Sequence, residues 1–417
     1  MKLYLLSLAV CLSLTAYTQG FQPGKPAENG MSADRLARID QLVNEHVSKK
    51  WLNGAVVMIV RNGKVVHHKA YGYGDAEKKA ALKKDDIFRI ASQTKAITSL
   101  AVMMLFEDGK FSLDDAISKY IPEFKSPRVL DRLSWADTSY TTVPAKSEIT
   151  IRQLLTHTSG LDYAVIGSQE FKAIYAKAGI PSGIGSSDMV LADKMKKLGS
   201  LPLKHQPGEA FTYGLNTDVL GYLVEVVSGM PLNEFFRTRI FQPLGMADTW
   251  FYLPKEKQSR LVPLYQFKNG EIDRLTKGTL GASNVDYPNT NGTYFSGGAG
   301  LSSTAEDYAK FLQLFLNKGE YNGVRLLSRK TVELMLTNQT QPPITTQFGL
   351  GFGLETDKNN YQSLYTEGTF SWGGAFSTTY WADPKEKLIG IIYTNLLGPP
   401  YGLNEKVKTL IYTSITD

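Results

Sequence analysis

Ser92 and Lys95 stand three residues apart in Phe88-Arg89-Ile90-Ala91-Ser92-Gln93-Thr94-Lys95, where a strand-like run passes into a helix. Residues i and i+3 share a helix face, so the Lys95 ammonium comes within reach of the Ser92 hydroxyl. The start of a helix adds unpaired N–H groups and a positive dipole end, both of which favour a developing oxyanion. Ile90, Ala91, Ala96 and Ile97 would desolvate Lys95, which favours its neutral, proton-accepting form. Together these are the parts of an activated serine nucleophile. An N-cap serine followed by a solvated lysine has the same pattern, so the rest of the chain has to decide. Rival chemistries find little support. The chain has no Gly-x-Ser-x-Gly elbow, no His-Glu-x-x-His zinc pair and no Gly-rich phosphate loop ending in Lys-Ser/Thr. Its five histidines are His46, His67, His68, His157 and His205. His67 and His68 are neighbours on a strand and point to opposite faces, so they are read as structural.

A second segment, Leu201-Pro202-Leu203-Lys204-His205-Gln206-Pro207-Gly208-Glu209-Ala210-Phe211-Thr212-Tyr213, leads into Gly214-Leu215-Asn216-Thr217-Asp218-Val219-Leu220-Gly221. Taken alone, Tyr213 reads as an ordinary packed aromatic. With Ser92-x-x-Lys95 and Leu154-Leu155-Thr156-His157-Thr158-Ser159-Gly160-Leu161, however, it completes an ordered set. Gly297 to Asp307 and Trp372-Gly373-Gly374 extend that set towards the C-terminus. In this order the motifs resemble the serine β-lactamase-like superfamily, class C branch, and within it the family VIII carboxylesterases. The likeness runs from about residue 30 to 395.

The resemblance implies that Ser92 is the acylated nucleophile and that Lys95 and Tyr213 share its proton. It implies an oxyanion hole made by the backbone N–H groups of Ser92 and Ala375. Trp372, Gly373, Gly374 and Asn216 are the implied substrate contacts. His157 is expected to be structural, and no metal or organic cofactor is implied. Two departures separate the branches. Class C β-lactamases carry Lys-Thr-Gly where this chain has Trp372-Gly373-Gly374, and they carry Asn two residues after the tyrosine, where Leu215 stands here. Both changes remove polar groups that would grip a carboxylate-bearing β-lactam, so an uncharged ester is the expected substrate. A β-lactamase or D-amino-acid peptidase on the same scaffold is the alternative, and a non-catalytic ligand-binding relative the third reading. Intact Ser92, Lys95 and Tyr213 argue against the last.

The elements that must hold these residues follow from periodicity. Ser32 caps a helix with Leu36, Ile39, Leu42, Val43 and Val47 on one face. Ala55–Val60 and Lys64–Tyr71 flank Asn62-Gly63, a hairpin signal. Thr94–Glu107 and Val219–Val227 read as helices, Phe376–Trp381 and Leu388–Thr394 as strands. Leu403, Val407, Leu410 and Ile411 fall on one face of a last helix. The expected fold class is therefore α+β: an antiparallel sheet from both chain ends, flanked by helices, with a mostly helical inserted subdomain. The sheet part is placed at about residues 31–93 and 295–417 and the helical part at 94–294, all one catalytic domain. Loops at 125–147 and 275–293 are expected to shape the pocket.

Composition agrees with a folded enzyme. The 417 residues are 42% hydrophobic and 21% charged, with a net charge of +6, which gives no support to nucleic-acid binding. Met1-Lys2, the apolar run to Ala16 and the small-x-small Ala16-Tyr17-Thr18 predict a leader over residues 1–20 and a linker over 21–30. The run is too short for stable membrane insertion, so a periplasmic or secreted protein is expected. The single cysteine, Cys11, lies in that leader, which excludes a disulfide scaffold. Small-molecule esters or amides are the expected partners.

Overall fold

Ala55 to Val60 is an unbroken apolar run, the pattern of a strand covered on both faces. In the computed structural model, which describes residues 20–276, 278–280, 284–398 and 401–417, this strand, β1 (Gly54–Arg61), is buried throughout. Val56, Met58 and Val60 face one hydrophobic cluster, and Ala55, Val57 and Ile59 the other. β1 pairs antiparallel with β2 (Lys64–Asp75) through the Asn62-Gly63 turn. Its other edge pairs with β5 (Leu388–Thr394), from the far end of the chain. Beyond β5 lie β4 (Thr378–Asp383) and β3 (Phe370–Gly374), both antiparallel. The sheet is thus assembled from both ends of the chain. Its outermost additions are Gly353–Leu354 on β3 and Gln22–Pro23 on β2, the latter pairing parallel.

Helix α1 (Ala33–Ser48), with Ser32 as its side-chain cap, and α5 (Leu403–Tyr412) cover one sheet face. Against the other face lie α2 (Thr94–Glu107) and α4 (Ala305–Leu316). Every residue of α2 from Thr94 to Leu105 is buried, so this helix carries Lys95 into the middle of the molecule. α3 (Asn216–Ser228) packs beside α2 and begins three residues earlier than the apolar run at Val219 suggests.

Three expectations are corrected. Residues 125–147 contain a β-hairpin, Arg128–Leu133 paired with Tyr140–Pro144 around an exposed turn, rather than a plain loop. Phe376 and Ser377 form the turn between β3 and β4, so the strand expected from Phe376 begins at Thr378. The 21–30 segment is held down as sheet edge and a short helix, Pro26–Asn29, rather than left as a linker. The leader reading falls on residues 1–19, which lie outside the described residues, with Gly20 at its edge.

Candidate active site

The turn that carries Ser92 is fixed from several sides. Phe88–Arg89 pairs with Ser302–Ser303, and Ile90 N–H donates to Leu301 O at 3.1 Å. Ala91 then adopts φ 44°, a left-handed conformation that costs a non-glycine residue about 1 kcal/mol. The surroundings hold it there: Thr94 Oγ1 donates to Ala91 O at 2.7 Å and accepts from Leu301 N at 3.1 Å. Tyr308 Oη donates to Gln93 O at 2.8 Å, and Tyr393 Oη donates to Gln93 Oε1 at 2.9 Å. The hydroxyl-bearing residue therefore sits on a strained, over-determined corner at the start of α2.

Lys95 is 2% exposed. Its Nζ lies 3.5 Å from Ser92 Oγ, donates to Gly298 O at 2.7 Å and stands 4.6 Å from the centroid of the Tyr213 ring. The Tyr163 ring lies 5.4 Å from the same ammonium. Tyr213 reaches this point because its loop runs alongside the Leu154–Leu161 segment. Thr212 N–H donates to His157 O, Gly208 N–H to Thr158 O and Lys204 N–H to Gly160 O, at 2.7–2.8 Å. A Cβ at Gly214 would lie 2.2 Å from Leu161 O, so only glycine lets the two segments approach this closely.

β3 closes the site from the opposite side. Gly374 lies against the carbonyl of Ile90, just before the Ser92 turn, and Ala375 packs in the same small cluster as Ala91. Trp372, two residues back on the strand, sets its ring 5.6 Å from Tyr213 and 5.3 Å from Phe348. Phe211 and Phe348 continue this wall at 5.3 Å, with His157 behind them. Ser92, Lys95, Tyr213, Trp372, Gly373, Gly374 and Ala375 are thus brought to one place.

Asn216 is not brought there. It is fully buried, accepts from Ser159 Oγ, and donates from Nδ2 to His157 Nδ1 at 3.0 Å. Its amide is spent on the loop that holds Tyr213. His157 accepts that bond on Nδ1, and burial first, then the Lys95 charge, hold its imidazole well below the usual range. It packs as a neutral ring.

Sequence reasoning had not singled out Phe211, Phe348, Tyr163, the Gly298 carbonyl or Asp218 as parts of this site. The signal for Asp218 was available: a carboxylate between Asn216 and Val219, on a helix whose neighbours are apolar. It is fully buried at the first turn of α3, with Oδ1 accepting from Ser296 Oγ at 2.7 Å. Burial pushes its carboxyl upward, against the Ser296 hydroxyl, the Lys95 charge, the Gly298 N–H and Tyr294. Tyr163 is pushed well above the usual phenol range by burial, and further by Tyr213 and Asp218.

Among the described residues no cluster of His, Cys, Asp and Glu is arranged to hold a metal ion, and no helix is long and apolar enough to cross a membrane.

Comparison with known proteins places this geometry in context. Residues 39–411 match the family model described as Beta-lactamase. The chain is 36% identical to Protein Rv1367c of Mycobacterium tuberculosis over 81% of its own length and 84% of that protein. It is 30% identical to Esterase EstB of Burkholderia gladioli, over 87% of this chain and 91% of the esterase. Among solved structures, EstCE1, described as a hydrolase with promiscuous acyltransferase activity, superposes with a TM-score of 0.77 at 28% identity. That match covers 91% of this chain and 99% of EstCE1.

Proposed function

The chain belongs to the β-lactamase family and is a serine hydrolase of that fold, and we propose that it is an exported carboxylesterase working through a Ser92 acyl-enzyme. The observation that carries the proposal is Lys95 Nζ at 3.5 Å from Ser92 Oγ, under the Tyr213 ring and beside an aromatic wall. In the forward step Ser92 Oγ attacks the ester carbonyl while its proton passes to the Lys95–Tyr213 pair. The carbonyl oxygen becomes an oxyanion held by the N–H groups of Ser92 and Ala375, each such donor being worth roughly 3 kcal/mol. Collapse expels the alkoxide, which takes the proton and leaves as alcohol. Water then attacks the acyl-Ser92 bond, giving its proton to the same pair, and the carboxylic acid departs with Ser92 restored.

Preference for an ester over a β-lactam rests on what borders the nucleophile. Trp372 offers an apolar face and one indole N–H where the β-lactamases present a cation. Phe211, Phe348 and Trp372 make an apolar wall suited to an uncharged acyl or alcohol group. Export rests on the apolar N-terminal run.

The test compares wild type with Ser92→Ala on p-nitrophenyl acetate, p-nitrophenyl butyrate and nitrocefin. Ester turnover that disappears in the variant, with little nitrocefin turnover, is the expected result. Nitrocefin turnover far above ester turnover would overturn the esterase reading, and unchanged activity in the variant would overturn the mechanism. Mass spectrometry after fluorophosphonate treatment is expected to find the adduct on Ser92.

A further inference from the structure

We propose that Asp218 is the positioning residue and buried counter-charge of the catalytic lysine, acting on Lys95 through the Ser296–Gly298 turn. The inference rests on the Ser92–Lys95–Tyr213 reading above and adds a residue to which that reading gives no role. Lys95 and Asp218 sit on different helices and touch the same glycine from two sides. Lys95 Nζ donates to Gly298 O at 2.7 Å. A Cβ at Gly298 would lie only 2.4 Å from Asp218 Oδ2, so the carboxylate rests directly against that residue. Asp218 Oδ1 accepts from Ser296 Oγ, and Ser296 Oγ in turn accepts from Ala299 N–H at 3.0 Å. The carboxylate therefore organises the turn whose carbonyl holds Lys95.

The fit is close on every side. Thr98, one helical turn after Lys95 on α2, donates to Gly297 O at 2.6 Å. A Cβ at Gly297 would meet Thr217 O at 2.4 Å, and one at Gly183 would meet Ser296 Oγ at 2.6 Å. Larger residues at these glycines would push the turn away from Lys95.

Charge argues in the same direction. Asp218 is fully buried and Lys95 nearly so, and the Lys95 ammonium is a cation whose charge acts on the Asp218 carboxylate. The groups that act on Asp218 include Lys95 from α2, Tyr163 from the segment after His157, Tyr294 just before the turn, and Ser296 and Gly298 in it. Tyr213 stands one ring further out, 5.6 Å from Tyr163. An isolated charge in such a place is costly, whereas two opposite charges sharing a turn offset one another. The first turn of α3 adds the positive end of its dipole under Asp218. Losing the carboxylate's charge lowers the proton affinity of every nearby group, Lys95 and Tyr213 alike. The sign of the effect therefore does not depend on which of them takes the Ser92 proton.

The experiment follows the rate of fluorophosphonate labelling of Ser92, and kcat/KM for p-nitrophenyl butyrate, against pH. It compares wild type, Asp218→Asn and Ser296→Ala, with thermal melts to establish folding. Asp218→Asn is expected to move the acid limb of both profiles to lower pH by about one unit or more. Ser296→Ala, which leaves the carboxylate but removes a donor that stabilises its charge, is expected to move the limb the same way by less. Profiles that keep their midpoints in both variants and lose only amplitude would overturn the proposal, because a purely structural role scales the rate without moving the limb. Should Asp218→Asn fail to fold, the Ser296→Ala midpoint decides alone. Failure of wild type to label at Ser92 would instead sink the nucleophile reading, so the two failures are separable.

Discussion

Gly374→Ala tests the oxyanion hole with one methyl group. The strand β3 passes so close to the Ser92 turn that a Cβ at Gly374 would lie 2.3 Å from Ile90 O and 2.3 Å from Thr378 Oγ1. Ordinary contact begins near 3.4 Å, so strand and turn must part by about 1 Å. Thr378 can rotate its hydroxyl away. Ile90 O is backbone, and it belongs to the residue whose N–H is tied to Leu301. The separation therefore falls between Ala375 N–H and Ser92 N–H, the two donors assigned to the oxyanion. A displacement of that size is expected to lower the rate about a hundredfold. Because these donors act on charge that exists only in the transition state, the loss should appear in kcat with KM nearly unchanged. Steady-state kinetics on p-nitrophenyl butyrate measures it, and a thermal melt shows whether the fold survives an overpacking cost of about 1–3 kcal/mol. A folded Gly374→Ala enzyme with wild-type kcat would refute the placement of the oxyanion hole between β3 and the Ser92 turn.

Two further outcomes are expected. Trp372→Ala removes the ring that joins Tyr213 to Phe348, and should raise KM for butyrate esters about tenfold, less for acetate, as expected for loss of apolar contact; equal effects on both esters would count against an apolar wall. Burial lowers His67 and His68 to about 4 each, the Lys84 charge adding to the shift at His68, and holds His157 well below its usual range. Unfolded imidazoles protonate near pH 6.5, so the stability these neutral rings contribute is complete above that value and is lost as pH falls towards 4. Urea denaturation between pH 7 and 4 should show this loss, with His67→Gln flattening it by roughly 2 kcal/mol; an unchanged slope in the variant would assign the acid sensitivity to other groups.

What the sequence determined by itself was whatever short-range periodicity can encode. Ser92, in the short turn Ala91–Gln93, and Lys95, in the first turn of α2, come together because residues three apart on a helical turn are neighbours, which the spacing alone shows. Asn62-Gly63 between Ala55–Val60 and Lys64–Tyr71 announced a hairpin, which pairs as expected. Tertiary structure decided which groups meet that serine. Tyr213 arrives because Gly214 lets its loop lie against Leu161, Gly298 because the turn shortly before α4 packs against α2, and Gly374 because the register of β3 on β4 carries it past Ile90. The direction of Asn216 was decided in the same way. From the sequence it stood near the tyrosine with a free amide, but His157 and Ser159, far away along the chain, claim both ends of that amide. Residue types also left open the hairpin at 128–144, where charged and threonine-rich strands on an exposed edge lack the apolar alternation that marks a strand. Local pattern thus placed Ser92 beside Lys95, and the register of segments far apart in the chain brought the other groups around them.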